Sequence, residues 1–268
     1  MNPPLKLFSA VFSALIACAS SFGQAANSQP SDDKAEKIVQ KAIQAVGGEA
    51  YVKLQTIIGR GLFTEYRNGV PGLPTHFLDY IVYPDRERTE FSGGGNRVIQ
   101  TNDHDRGWIF DAAAKTIKDQ NATQIADFKT GLRTSFENLL HGWWRNEGGT
   151  LSYVGRREAT LGRRNETVKV TYPDGFWIEY EFAAIDGTPA KVIYKRTQKN
   201  PDTEQMEETS EEDDVHKPVT IAGVMTPLVI DHFKNGTQTS RISYESIEYN
   251  KSIADSLFTK PASVKAVK

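Results

Sequence analysis

The chain has 268 residues, of which 38% are hydrophobic and 25% are charged, a composition that suits a globular protein and excludes disordered and fibrous classes. Its 32 Lys and Arg residues against 34 Asp and Glu residues give a formal net charge of −2, which argues against a nucleic-acid-binding protein because such domains carry a basic excess. The single cysteine excludes an intrachain disulfide and a zinc site built from several cysteines.

Residues 1–25 are predicted to be a secretory signal peptide. A short, positively charged start ending at Lys6 precedes an uncharged apolar run over residues 7–17. This run is shorter than the roughly 20 residues that span a bilayer, but it has the length of a signal-peptide hydrophobic region. The mature protein is therefore expected to be exported.

Two processing sites compete at the end of this segment. Small residues at Gly23 and Ala25 are typical of an ordinary signal-peptidase cut before Ala26. Alternatively, residues 15–18 resemble a bacterial lipobox, in which Cys18 becomes the acylated first residue of the mature protein. The second processing route would attach the protein to a membrane, and the first would release it.

The mature chain is predicted to begin with a polar linker over residues 26–33 and one amphipathic helix. Ser31 is the expected cap, and apolar residues at i, i+3 and i+4 spacing continue to Val46, where Gly47 and Gly48 end the helix. Short apolar runs separated by Gly, Pro, Asn and Asp then predict strands over residues 57–66, 77–83, 88–91, 97–101, 108–111 and 116–119.

A second amphipathic helix is predicted from its cap at Thr123 to Trp144, between two blocks of strands. Because consecutive strands without intervening helices pair as an antiparallel meander, the predicted class is α+β, with a large curved antiparallel sheet and helices on one side. No long linker interrupts residues 34–268, so we expect one domain. The second block of strands covers residues 151–154, 167–172, 176–182, 190–197, 227–233 and 240–249.

Two charged segments each allow two interpretations. Residues 201–215 contain eight acidic residues and no basic one, as expected for a solvated edge strand or loop, or for a segment that docks on a basic partner. Arg156-Arg157 and Arg163-Arg164 flank a tight segment, which is typical of a solvated hairpin tip but could also clamp an anionic head group.

No established catalytic motif occurs in the chain, which lacks GxSxG, a Walker loop, HExxH and a GxGxxG that opens a helix. Residues 102–105 (NDHD) form the one tight cluster of possible metal ligands, and a polar hairpin turn explains them as well. We therefore predict no catalytic residue, no metal site and no cofactor. A metal-dependent hydrolase built on Asp103, His104 and Asp105 is the enzymatic alternative.

Large apolar side chains on the strands and the second helix are the candidate ligand-binding residues. In a sheet packed tightly on its helices they would form an ordinary core, whereas a strongly curved sheet leaves a hollow beneath the helices. A chain of about a dozen methylenes buried there would gain roughly 10 kcal/mol before the cost of association. The candidates are Phe63, Tyr80, Trp108, Phe110, Phe128, Leu132, Leu139, Trp143, Phe176 and Ile178.

The order of these features resembles the LolA/LolB-like superfamily, and in particular the bacterial outer-membrane lipoprotein-sorting-protein homologues. The resemblance covers residues 34–261 and depends on five stretches in order: 42–48 (AIQAVGG), 174–182 (Asp-Gly leading a strand), 184–190 (AIDGTPA), 221–227 (IAGVMTP) and 250–261 (NKSIADSLFTKP). It implies an incomplete antiparallel β-barrel with covering helices on its concave side, whose apolar interior holds acyl chains. It also implies a location in the bacterial periplasm and no catalytic residue.

Two functions are compatible with these features. The first is a non-enzymatic envelope carrier or sensor of lipid or lipoprotein acyl chains, peripheral to the membrane or anchored through Cys18. The alternative is a regulatory or scaffolding module that contacts an envelope protein through the acidic segment 201–215. Neither function involves a nucleic acid.

Overall fold

The computed structural model describes residues 32–199 and 204–267. The predicted signal peptide, Cys18 and the expected cap at Ser31 lie outside the described residues. The helices and strands, in chain order, are α1 (Asp33–Ala45), α2 (Glu49–Val52), β1 (Thr56–Arg67), β2 (Val70–Pro71), β3 (Thr75–Val82), β4 (Arg86–Gly93), β5 (Asn96–Asp103), β6 (Arg106–Asp111), β7 (Thr116–Asp119), α3 (Ala122–Thr134), α4 (Phe136–Leu140), β8 (Thr150–Thr160), β9 (Arg163–Thr171), β10 (Trp177–Ala183), β11 (Pro189–Lys199), β12 (Met206–Ile221), β13 (Val224–Lys234) and β14 (Thr237–Tyr249).

One antiparallel sheet of 14 strands dominates the described part of the chain. Its order is β7-β6-β5-β4-β3-β1-β14-β13-β12-β11-β10-β9-β8, and β2 pairs only with β1. The first and last strands, β1 and β14, therefore pair and join two meanders. β7 and β8 are the outer strands and do not pair with each other, so this sheet is not closed, and α3 and α4 connect its two edges.

The main core lies between the helices and strands β8 to β11. Ile178, Tyr180 and Phe182 alternate along β10 and pack, fully buried, in one cluster with Leu139 of α4 and Val39 of α1. Alternation along a strand directs the intervening residues to the opposite face.

The opposite face of β10 is polar and ion-paired. Glu179 and Glu181 are buried there, and Arg157 of β8 reaches both carboxylates at 2.5 and 3.1 Å. Lys169 of β9 adds a third contact at 3.1 Å to Glu179. The strand is therefore buried on both faces, with hydrophobic contacts on one and compensated charges on the other.

The second predicted helix is divided in the structure. Asn121, not Thr123, caps α3, and its side chain forms a reciprocal capping box with Gln124. Ser135 then adopts an extended conformation and caps α4, because its side chain accepts a hydrogen bond from the backbone N–H of Asn138 at 3.1 Å. A short 3-10 helix (Trp143–Glu147) follows Gly142, whose positive φ of 77° ends α4.

The prediction that the acidic segment is an edge strand or loop is wrong for its described part. β12 lies inside the sheet and pairs with β11 through residues 206–214 and with β13 through residues 211–221. Basic residues on the neighbouring strands compensate its charge: Lys191 lies 2.5 Å from Glu212 and 3.3 Å from Asp214. The negative charge of this strand is therefore compensated inside the sheet and does not keep it at an edge.

Both predicted polar hairpins are confirmed. Residues 104 and 105 form the turn between β5 and β6, with His104 at a positive φ of 57°. Leu161 and Gly162 form the turn between β8 and β9, which brings the two arginine pairs onto one hairpin.

Candidate ligand-binding cavity

A cavity of about 400 Å³ lies between the helices and strands β11 to β14. Its volume falls in the range of about 300–1,000 Å³ that is typical of small-molecule sites. Apolar side chains from both layers form most of its wall: Val46, Tyr51, Phe136, Leu140, Val192, Tyr194, Val215, Pro218, Met225, Pro227, Ile230 and Ile242.

Strand register aligns the sheet side of this wall. Val215 of β12 lies opposite Ile230 of β13, which in turn lies opposite Ile242 of β14. Directly opposed residues in an antiparallel pair share one face of the sheet. The three side chains therefore form an apolar row across three strands beneath the helices.

A half-buried charge cluster borders the row. His232 lies opposite Asp213, and its Nδ1 contacts that carboxylate while its Nε2 lies 2.9 Å from Glu211 Oε2. Burial alone would lower the pKa of His232, but hydrogen bonds to the two carboxylates outweigh it and raise the pKa to about 9. The imidazole is therefore a cation at neutral pH and compensates part of the charge of its two partners.

Glu137 of α4 contributes the carboxyl on the helix side of the wall. Burial raises its pKa, although the Tyr83 hydroxyl donates a hydrogen bond to the carboxylate. Glu137 thus favours its neutral form more than an exposed glutamate does, and a neutral carboxyl can both donate and accept hydrogen bonds. Among the described residues that line the cavity there is no Lys or Arg, and the His232 cation is already paired with Asp213 and Glu211. The wall therefore suits an apolar chain better than an anionic group.

A second, more open depression of about 670 Å³ lies over strands β1 to β5. Phe63 and Phe91 form its base, with ring centroids 5.7 Å apart, and Leu73 lies at its rim. Phe63 is directly opposite Ile242 in the β1–β14 register, so the depression and the cavity occupy the same face of the sheet.

Three of the predicted ligand-binding residues lie on the opposite face. Tyr80 is opposite Arg88, and the register continues through Thr101 to Trp108. Trp108 and Phe110 pack in a separate small cluster with Ile99, and the Trp108 indole donates a hydrogen bond to the Phe258 carbonyl at 3.0 Å.

The other six are distributed over the helical layer and β10. Leu139 and Ile178 are fully buried in the main core, and Phe176 packs against it. Trp143 stacks on His141 with centroids 4.5 Å apart, while Phe128 and Leu132 are half-buried on α3. None of the ten is among the residues that line the 400 Å³ cavity, and Phe63 lines the second depression. Their part in ligand binding stays a prediction.

Sequence analysis did not select the residues that do line the cavity. Ile230 and Ile242 lie within predicted strands, and their alternation marks one face of each strand. That signal identifies two-faced strands, but it does not indicate which apolar face borders a vacant space.

Each residue of the Asp103–His104–Asp105 cluster forms an ion pair with a residue outside the cluster. His104 Nδ1 lies 2.8 Å from Asp85, Asp103 contacts Arg86 at 2.9 Å, and Asp105 pairs with Lys129. Within residues 32–199 and 204–267 no group of three or more His, Cys, Asp or Glu side chains is arranged to hold a metal ion. In the same residues, every helix is too short or too polar to cross a membrane.

No protein-family model matches this sequence, and no curated protein matches it significantly. Solved structures do share its architecture. A DUF1329 family protein from Desulfovibrio piger has a TM-score of 0.58 at 11% identity, with 85% of this chain and 98% of that chain covered.

Two further structures share the fold, one described as a lipoprotein-sorting domain and one as a LolA superfamily protein. A domain described as an outer membrane lipoprotein-sorting protein domain, from Vibrio parahaemolyticus, has a TM-score of 0.54 at 11% identity, covering 85% of this chain and 97% of its own. A LolA superfamily protein from Nitrosomonas europaea has a TM-score of 0.52 at 11% identity, covering 84% and 97%. The chain therefore has a LolA-like fold.

Proposed function

We propose that this protein is a non-enzymatic carrier or sensor of lipid-like ligands in the bacterial envelope. An apolar chain would occupy the cavity between the helices and strands β11 to β14, with the helices covering the concave side of the sheet. The observation that carries the proposal is the cavity itself, about 400 Å³ of space walled by apolar side chains from two layers.

The size of the cavity and its apolar wall favour a single hydrocarbon chain as the ligand. Each methylene transferred from water into such a wall contributes about 0.8 kcal/mol, so a chain of about a dozen methylenes gains roughly 10 kcal/mol before association costs. Phe63, opposite Ile242, extends the apolar face beyond the cavity and is the predicted ligand residue that the register favours most. The location in the envelope rests on the predicted signal peptide over residues 1–25, or on an anchor at Cys18.

The first test is a binding measurement on the purified, exported protein. Native mass spectrometry is expected to detect co-purified lipid, and a dansyl-labelled undecanoic acid is expected to bind with enhanced fluorescence. Ile230→Trp fills the centre of the apolar row, and we expect it to weaken binding of this probe about tenfold or more.

Met206→Trp is the matched control, because Met206 is exposed at the start of β12 and lies outside the cavity wall. It should bind the probe as the unmodified protein does. A protein that carries no lipid and does not bind the probe would contradict the carrier proposal, and equal effects of the two tryptophans would reject this cavity as the site.

A further inference from the structure

Two exposed turns lie side by side at one end of the sheet, and each presents a large apolar residue. The β8–β9 turn carries Leu161, which is 98% exposed, and the segment between β10 and β11 carries Ile185, which is 89% exposed. The backbone N–H of Ala184 donates to the Arg164 carbonyl at 2.9 Å, so the two turns are joined. Neither apolar side chain contributes to the core, and both extend into solvent from adjacent loops.

Basic side chains surround these two residues. Arg163 and Arg164 are exposed, and in the part of the chain that the structure describes neither takes part in an ion pair or side-chain hydrogen bond. The other arginines of the hairpin are already paired, Arg156 with Glu166 and Arg157 with β10 carboxylates. The hairpin therefore has two guanidinium groups available at its tip.

Helix α1 adds a third cation at the same place. Lys41 Nζ donates to the carbonyls of Ala184 and Ile185 at 2.8 and 3.0 Å. Lys37, one helical turn earlier, is also exposed. Glu158 and Asp186 are the carboxylates nearest in sequence to the two turn tips, against the three cations Lys41, Arg163 and Arg164.

We propose that this turn surface, defined as Leu161, Ile185, Arg163, Arg164 and Lys41, docks on an anionic lipid membrane. The two apolar tips would enter the interface, where their burial is favourable, and the guanidinium groups would contact lipid phosphates. Two separate protruding tips suit a penetrable lipid surface better than the flat or grooved surface of a folded acidic protein.

The position of the surface relates it to the cavity. The loop that presents Ile185 continues directly into Thr188 and Pro189, which line the 400 Å³ space. A membrane contact here would lie beside the cavity wall. The inference itself depends on the exposed turns and not on which ligand the cavity holds, so it can fail or succeed independently of the carrier proposal.

The test is co-sedimentation of the processed protein with vesicles of phosphatidylcholine, with and without phosphatidylglycerol. We expect binding only to the phosphatidylglycerol vesicles and a decrease in binding with added salt. Arg163→Gln with Arg164→Gln should weaken binding about fivefold for each arginine lost. Leu161→Ser with Ile185→Ser should weaken it about tenfold or more, because the apolar tips no longer gain by entering the interface.

Leu73→Ser is the control, since Leu73 is 93% exposed on a different turn, at the rim of the second depression. It should bind as the unmodified protein does, and comparison within one background cancels any contribution of the N-terminal segment. The proposal is overturned if phosphatidylglycerol does not increase vesicle binding, or if Leu73→Ser weakens binding as much as Leu161→Ser with Ile185→Ser does. It is also overturned if the protein binds polyglutamate as well as it binds the vesicles and the Leu161→Ser, Ile185→Ser variant binds polyglutamate equally well.

Discussion

The His232 imidazole combines structural and electrostatic roles at the cavity wall. It lies between Asp213 and Glu211 on the face that borders the apolar row. Burial by itself would raise the pKa of Glu211, but the hydrogen bond from His232 lowers it below its usual value. The same interaction raises the pKa of His232, so each partner favours the charged form of the other, and only the protonated imidazole can donate to both carboxylates at once.

This linkage predicts that stability depends on pH. The pKa of His232 is about 9 in the folded protein and about 6.5 in an unfolded chain, so its contribution is complete below pH 6.5 and disappears as the pH rises through 9. We expect the free energy of unfolding in urea to fall by on the order of 2–3 kcal/mol over this interval. His232→Gln should remove that dependence, whereas His104→Gln, at an exposed turn, should keep it. Parallel profiles for the two variants would contradict the assignment.

At the scale of elements, the acidic strand β12 is the clearest departure from expectation. Its carboxylates point alternately to the two faces of the sheet, where His232 compensates Glu211 and Lys191 compensates Glu212 and Asp214. These groups are engaged within the protein, so docking of a basic partner on them would have to break internal ion pairs. The scaffolding alternative stays a prediction, and the described contacts do not favour it.

The β1–β14 pair is the element contact that unites the two meanders, and it depends on a glycine. The register shifts between Arg60 and Gly61, and a Cβ added at Gly61 would lie 2.1 Å from the Ser243 carbonyl oxygen. No side chain fits without moving the backbone of β14. The two strands can therefore approach closely only because this position has none.

Gly61→Ala is expected to lower the free energy of unfolding by about 3 kcal/mol or more, since the methyl group meets backbone that cannot move aside cheaply. Gly131→Ala in α3 is the matched control, because its Cβ would meet nothing within 4 Å. Alanine there should stabilise the helix by about 0.5–1 kcal/mol. Urea unfolding of both variants measures the effects, and a Gly61→Ala protein as stable as the parent would refute the close approach.

For the whole molecule, the two faces of the sheet are covered by different parts of the chain. Helices and the cavity occupy one face, while the C-terminal segment covers the other at β4 to β6. Phe258 is almost fully buried there, its carbonyl accepts from Trp108, and the Leu257 carbonyl accepts from Arg88 at 2.9 Å. The small cluster of Trp108, Phe110 and Ile99 thus depends on contacts between residues about 150 positions apart in sequence.

Phe258→Ala should separate stability from ligand binding. Removing a buried phenyl ring costs about 3–5 kcal/mol, so the variant should unfold at lower urea concentration. Its affinity for the dansyl fatty acid should equal that of the parent at low temperature, because Phe258 and the cavity lie on opposite faces. Ile230→Trp should instead weaken binding of the dansyl fatty acid and leave the urea concentration of unfolding unchanged. If Phe258→Ala weakens binding in the folded protein, the two faces are coupled and the assignment of Trp108 to a separate cluster is incomplete.

Local sequence determined much of the architecture. The apolar spacing of α1, the polar turns at residues 104–105 and 161–162, and the two blocks of consecutive strands were sufficient to predict a large antiparallel sheet, which is confirmed. The LolA-like fold was implied by the resemblance of several short stretches in order, and it is confirmed as well. Each depends on residues within a few positions of one another, where helix period, strand alternation and turn chemistry act. The division of α3 from α4 escaped prediction because Ser135 is equally compatible with a helix interior and a cap.

Only the tertiary structure decided which strand faces enclose the cavity. Trp108 and Ile230 both belong to predicted strands, yet one packs beneath the C-terminal segment and the other borders vacant space. Alternation separates the two faces of a strand but leaves open what covers each one, because the covering residues are distant in sequence. Likewise, the acidic β12 is an inner strand whose carboxylates are compensated by lysine and histidine on its neighbours, a compensation that exists only once the strands have paired.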